Sequence, residues 1–140
     1  MTVCIDTNAM VQLFGLRQPH RAIVEDLLQG RLRLAVSTAI LLEYEETITR
    51  LSGPARWQQI ESFLGTLQRL HGNIVFAEPS FRFAAIPADP DDNKFTDCAI
   101  AAQADYIVTE DRHFDVLASA GFRVKPVTPA QLAALLAARS

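Results

Sequence analysis

A chain of 140 residues, 49% hydrophobic and 21% charged, has the size and balance of one ordinary globular domain with a single core. Its net charge of −3, with 11 Arg and 2 Lys scattered along it, supplies no basic field to draw in nucleic acid. That counts against a pure nucleic-acid-binding module more than against an enzyme that presents metal ions to a phosphate. No apolar run approaches the ~20 residues of a membrane span. The opening MTVCIDTNAM lacks the basic-then-apolar pattern of a secretory signal. Two cysteines, Cys4 and Cys98, make no disulfide framework, so a cytoplasmic protein with reduced, buried thiols and no membrane association is expected.

Thr2–Asp6 is a short apolar run ending in an acid, which predicts a buried strand. Asp6-Thr7-Asn8 breaks it, and AMVQLF starts a helix. Pro19 suits the first turn of a second helix, Pro19–Gln29, with Ile23, Val24, Leu27 and Leu28 on one face and Gly30 as its stop. Leu34–Val36 reads as a second strand. Ser37 or Thr38 can cap a helix to about Leu51, and Ser52-Gly53-Pro54 ends it and opens another to about Leu70. Gly72-Asn73 turns into a third strand, Ile74–Ala77. Glu78–Asn93 carries three prolines and reads as loop, Lys94–Ala104 as helix, Tyr106–Thr109 as strand. His113–Ala120 reads as a helix closed by Gly121, Val124–Val127 as the last strand, and Thr128-Pro129 as the cap and first turn of a final helix to about Ala138. Short apolar strands alternating with helices predict a parallel sheet covered on both faces, an α/β three-layer domain. No linker or repeat divides the chain, so residues 1–140 are expected to form one domain.

The stretch Ala88–Phe114 and the adjoining Asp115 hold eight of the 16 acidic residues, with apolar runs CAIAA and YIV inside them. Carboxylates crowded beside buried elements need something to offset their repulsion, and a hard divalent cation does so through oxygen ligands. Ligands of open parallel sheets gather beyond the carboxyl ends of the strands, near a switch in strand order. Asp6 ends the first strand, Glu43 lies on the helix after the second, Asp97 is near the start of the helix before the fourth, and Asp111 is two residues beyond that strand. Helix and strand geometry can bring these four to one sheet edge, where Mg²⁺ or Mn²⁺ would neutralise them and activate water against a phosphodiester. Each also has a plain structural reading. Asp6 or Asn8 can cap the first helix, Glu43 can be one of several solvated helix acids beside Glu45 and Glu46, Asp97 can complement a helix N-terminus, and Asp111 can shape a turn. Asp89, Asp91 and Asp92 suit loop turns, with Asp92 the best placed of them to support a metal pocket.

Other chemistries fit less well. His20, His71 and His113 do not fall at zinc-ligand spacings, and no nucleophile elbow or phosphate-binding glycine loop occurs. Lys94, Arg112 and Arg17 are available to touch a phosphate backbone, or serve only as surface charge.

Asp6-Thr7-Asn8 after an apolar strand, Ser37…Glu43-Tyr44 on the following helix, Asp89-Pro-Asp-Asp-Asn-Lys-Phe-Thr-Asp97-Cys-Ala, and Ala104-Asp-Tyr-Ile-Val-Thr109-Glu-Asp111 together resemble a PIN domain. The resemblance spans nearly the whole chain and is narrower to the single-domain, VapC-like prokaryotic toxins of toxin–antitoxin pairs. It implies a PIN-like fold and a Mg²⁺- or Mn²⁺-dependent ribonuclease acting on RNA. Asp6, Glu43, Asp97 and Asp111 match the family's catalytic, metal-holding quartet, and Asn8 and Thr109 match polar positions that support the pocket. A homodimer neutralised by an antitoxin protein is also implied, with the helices Pro19–Gln29 and Pro54–Leu70 as candidate dimer surfaces. Glu110 departs from the family pattern, standing where a small residue is common and adding charge beside Asp111.

Two competing readings remain. A haloacid-dehalogenase-type phosphatase also places an Asp after the first strand, but needs a second Asp where this chain has Asn8. A non-catalytic PIN-like module that holds RNA or a partner protein is the alternative outside enzymes, and metal-dependent cleavage that is lost with the quartet separates it from a nuclease.

Overall fold

The computed structural model describes residues 1–15, 17, 19–80 and 93–139, so Asp89, Asp91 and Asp92 lie outside the described residues. Five strands form one parallel sheet: β1 (Thr2–Ile5), β2 (Arg33–Val36), β3 (Ile74–Phe76), β4 (Tyr106–Val108) and β5 (Lys125–Val127), in the order β3-β2-β1-β4-β5. Val3, Cys4, Ile5, Leu34, Ala35, Ile107 and Val108 are all fully buried. This is why the central strands read as continuous apolar runs: both faces of the sheet are covered, so neither can afford a polar alternation. Each such Val, Ile or Leu side chain contributes about 1.5–3 kcal/mol through burial.

The covering layers are α-helices: α1 (Thr7–Leu13), α2 (His20–Leu28), α3 (Thr38–Ser52), α4 (Pro54–His71), α5 (Asn93–Ala101), α6 (Val116–Ser119) and α7 (Pro129–Arg139). Among them α2 packs on α1 and α7, α3 packs on α4, and α5 lies against β1, β4 and α3. The expected three-layer α/β architecture with a parallel sheet flanked by helices is thus present. No helix of the described residues is long and apolar enough to cross a membrane.

The chain builds outward from β1 to β2 and β3, then returns to the other side of β1 for β4 and β5. The reversal places the switch in strand order between β1 and β4, whose carboxyl ends are in register, Ile5 beside Val108. A crevice opens beyond strand ends at such a point, because the connections leave in opposite directions.

Three elements differ from expectation. The first helix begins at Thr7, two residues early, because the Asp6 side chain already caps it by accepting from the Ala9 amide at 2.9 Å. The expected helix 113–120 is a 3₁₀ turn (Arg112–Asp115), capped by Asp111, followed by the single turn of α6. The helix expected to reach Ala104 stops at Ala101. There Gln103 takes a left-handed φ of 54°, with Gln103 N–H bonded to Ile100 O and Ala104 N–H to Ala99 O. These are the two bonds of a Schellman stop, made without the glycine that announces one in a sequence. At the outer edge, Lys125 and Thr109 amides make the inward bonds between β4 and β5, so the ring nitrogen of Pro126 faces outward.

Candidate active site

Asp6 follows β1 directly and Thr109 follows β4 directly, so the switch point itself sets these two side chains together. Asp6 is 6% exposed. Its Oδ1 accepts from Ala9 N–H and its Oδ2 accepts from the Thr109 hydroxyl. The same Thr109 oxygen accepts the Asp111 amide at 2.9 Å. One hydroxyl therefore ties the end of β1 to the turn after β4. Asp111 in turn caps the 3₁₀ segment by accepting from His113 N–H at 2.9 Å, and its Oδ1 lies 3.4 Å from His113 Nδ1.

Glu43 reaches the same place from α3. Its Oε2 accepts from the Thr7 hydroxyl, and its Oε1 lies 2.8 Å from the Lys94 ammonium on α5. The helix is held in position by the next residue: Tyr44, fully buried, donates its hydroxyl to the carbonyl of Ile5, the residue just before Asp6. Burial pushes the Tyr44 phenol well above its ordinary value, so it stays a donor.

Asp6, Thr7, Asn8, Glu43, Thr47, Phe95 and Asp111 line one pocket of about 170 Å³ beyond the switch point. Three of the four expected acids meet there, together with Asn8. Thr109 and Asp111 also line an adjoining pocket of about 210 Å³ with Glu110, Arg112, Asp115, Thr128 and Gln131. Asp97 lines neither. It sits 6% exposed on the buried side of α5, one helical turn beyond Lys94. Asp92 lies outside the described residues. Thr7 is a contact of the acids that the sequence does not single out, since only its neighbours in the D-T-N tripeptide carry a stated role.

The electrostatics favour a cation. Burial pushes the Asp6 carboxyl above its ordinary value, against the lowering effect of the Thr109 hydroxyl and the Ala9 amide, and the charges of Asp111 and Glu43 push it further up. The donors are carboxylate, hydroxyl and amide oxygens, the hard set that Mg²⁺ and Mn²⁺ take, so the chemistry of the residues fits such an ion. No three His, Cys, Asp or Glu side chains among the described residues converge as metal ligands. The acids are instead each held by a protein partner: Asp6 by Thr109, Glu43 by Thr7 and Lys94, Asp111 by His113.

Comparison with known proteins bears on the same residues. A family model described as a PIN domain matches residues 2–113, a span that contains all four expected acids. A chain of VapBC2 from Rickettsia felis, crystallised bound to a DNA fragment from its promoter, shares the fold with a TM-score of 0.59 at 16% identity. The superposition covers 91% of this chain and 98% of that one. No curated protein matches the chain.

Proposed function

The chain belongs to the PIN-domain family, and from that premise we propose that it is a metal-dependent endoribonuclease, the toxin component of a toxin–antitoxin pair, with residues 1–140 forming one PIN-like domain. The observation that carries the reading is the meeting of Asp6, Glu43 and Asp111 in one pocket at the β1/β4 switch. β5 extending the same sheet and α7 packing on α2 support a single domain beyond the matched span.

In this reading Asp6, Glu43, Asp97 and Asp111 hold Mg²⁺ or Mn²⁺. When bound, the ion supplies an activated water and a clamp on the phosphodiester oxygens. The chain's own residues do the positioning. Thr109 fixes the Asp6 carboxylate and the Asp111 backbone with one hydroxyl, Thr7 orients Glu43, Tyr44 sets the spacing of α3 from β1, and Asn8 offers an amide at the pocket wall. Asp97 joins the set from α5, one turn below Lys94. Asp92, shortly before α5 in the sequence, is the residue proposed to support the pocket. Arg112, exposed in the adjoining pocket, is a contact for the RNA backbone.

The fold shared with a chain of the VapBC2 complex brings a protein antitoxin into the proposal. Exposed Leu28 on α2 and Leu70 on α4 support the homodimer, since both lie on the helices named for it. The two thiols, Cys4 and Cys98, are free and buried, which suits a cytoplasmic protein.

The test is cleavage of a mixed structured RNA pool by purified protein with Mg²⁺, Mn²⁺ or EDTA, beside Asp6→Asn and Asp97→Asn variants that melt cooperatively. Cutting that needs metal and disappears in both variants is expected. A residual signal equal in wild type and variants would sink the nuclease reading. That outcome favours the second reading, a non-catalytic PIN-like module for RNA or a partner protein, which draws on the engagement of each acid by a protein partner rather than by a shared point.

A further inference from the structure

We infer that Lys94 is the resident counter-ion of the acid pocket, holding the Oε1 oxygen of Glu43 that a divalent cation must take. The inference rests on the metal-dependent reading above and concerns what stands in the metal's way.

Glu43 has two oxygens with unlike partners. Oε2 is fixed by Thr7, a short side chain on the first residue of α1, adjacent to Asp6. Oε1 is held at 2.8 Å by an ammonium on a flexible four-carbon stem. The side chains are 28% and 21% exposed, so the pair is shielded from solvent more than an ordinary surface ion pair and its attraction is screened less.

The position of Lys94 on its helix is itself unfavourable for a cation. It is the second residue of α5, where the helix dipole disfavours a cation. Among the described residues a facing carboxylate, Glu43, offsets that cost. The arrangement explains why Glu43, Asp6 and Asp111 share a pocket yet do not converge as ligands: one arm of the set is tied to α5. A lysine suits this role better than an arginine, because a single point charge leaves a carboxylate without breaking a bidentate fork. Released from Glu43, the ammonium stays at the rim of an anionic pocket, where an incoming phosphate arrives.

The test measures metal binding, not cleavage. Mn²⁺ affinity is read from the loss of the free-ion EPR signal in wild type, Lys94→Met, Glu43→Gln and the double variant, each checked by thermal melting. Lys94→Met should bind Mn²⁺ about three- to tenfold more tightly than wild type, and the gain should vanish in the Glu43→Gln background, since the competition is for that carboxylate. Unchanged or weaker binding by Lys94→Met, in a protein that itself binds Mn²⁺, overturns this inference and leaves the metal site standing. An equal gain with and without Glu43 also overturns it, because the effect is then long-range charge. If none of the four proteins binds Mn²⁺, the metal reading and this inference fall together.

Discussion

Two aspartates stand at opposite ends of the same pair of strands. Asp105 precedes β4 at its amino end. Its Oδ2 accepts the Thr2 amide at 2.9 Å, its Oδ1 faces Arg123 at 3.4 Å, and its backbone bonds to Thr2 and Lys125 link β1, β4 and β5. Asp6 follows β1 at the carboxyl end. It too accepts a backbone amide and a side-chain donor, but it faces Asp111 and Glu43 instead of a cation. Asp105 is 36% exposed and matched in charge, whereas Asp6 is 6% exposed and has the like charges of Asp111 and Glu43 near it. One end of the sheet is arranged as a fold needs, and the other as a fold alone would avoid. Burial plus like charge at a switch point is the pattern of functional sites, and it supports the metal-dependent reading proposed above.

The largest effect that would sharpen this contrast is Asp6→Asn. RNA cleavage should fall more than about 100-fold, beyond the 10–100-fold typical of losing a group that only orients a metal ligand. Stability should move the other way. A carboxyl raised in the folded state is most favourable below its unfolded value and loses stability as pH rises through the folded one. The Asp6→Asn protein should therefore melt higher than wild type at neutral pH, and a lower melting temperature would break the comparison.

Next is Tyr44→Phe, which strips the phenol from the Ile5 carbonyl while keeping the ring. A loss of about 1–3 kcal/mol in urea unfolding is expected for a buried group left without its partner. The phenol is raised by burial, so its contribution is complete below the unfolded value of about 10 and is lost as pH climbs above it. The variant should flatten that alkaline limb; an unchanged limb would remove Tyr44 as the strut between α3 and β1.

At the other end, Asp105→Ala should cost about 1 kcal/mol through the Thr2 amide bond, the solvent-exposed Arg123 pair adding little. Its metal-dependent cleavage per folded molecule should match wild type, and a drop in that specific activity would make Asp105 more than structural. Smaller still is Glu78, whose carboxylate caps α3 by accepting from the Thr38 amide at 2.6 Å and hydroxyl at 2.5 Å. Those bonds lower its pKa, so its stabilisation is present above the unfolded value and lost as pH falls through the folded one. Glu78→Gln should shallow the acid limb of a pH–melting curve. Gln103→Gly, which removes a left-handed non-glycine residue, should gain up to about 1 kcal/mol by chemical denaturation.

Much of this was legible in the chain. The five strands declared themselves as apolar runs, and Asp6, Glu43 and Asp111 by their offsets from strand ends. The contacts that make a site of them were not. Thr7 to Glu43, Tyr44 to Ile5 and Thr109 to Asp6 span 36, 39 and 103 residues, and no local pattern encodes a bond that the sheet order creates. The place of Asp97 in the set rests on the metal-dependent cleavage test: it is buried on α5 and lines neither pocket, and a buried helix has several inward positions that spacing does not tell apart. Asp6 does carry its structural role, since one oxygen caps α1 while the other accepts from Thr109, and it does so while lining the pocket with Glu43 and Asp111.

Pro126 carries a consequence for how copies of this chain can meet. With its ring nitrogen facing outward on β5, the outer edge of the sheet has no N–H to offer at that register. A strand from another molecule would lose that ladder bond. Strand pairing between copies is therefore disfavoured at this edge, which works against head-to-tail growth of the sheet into a filament.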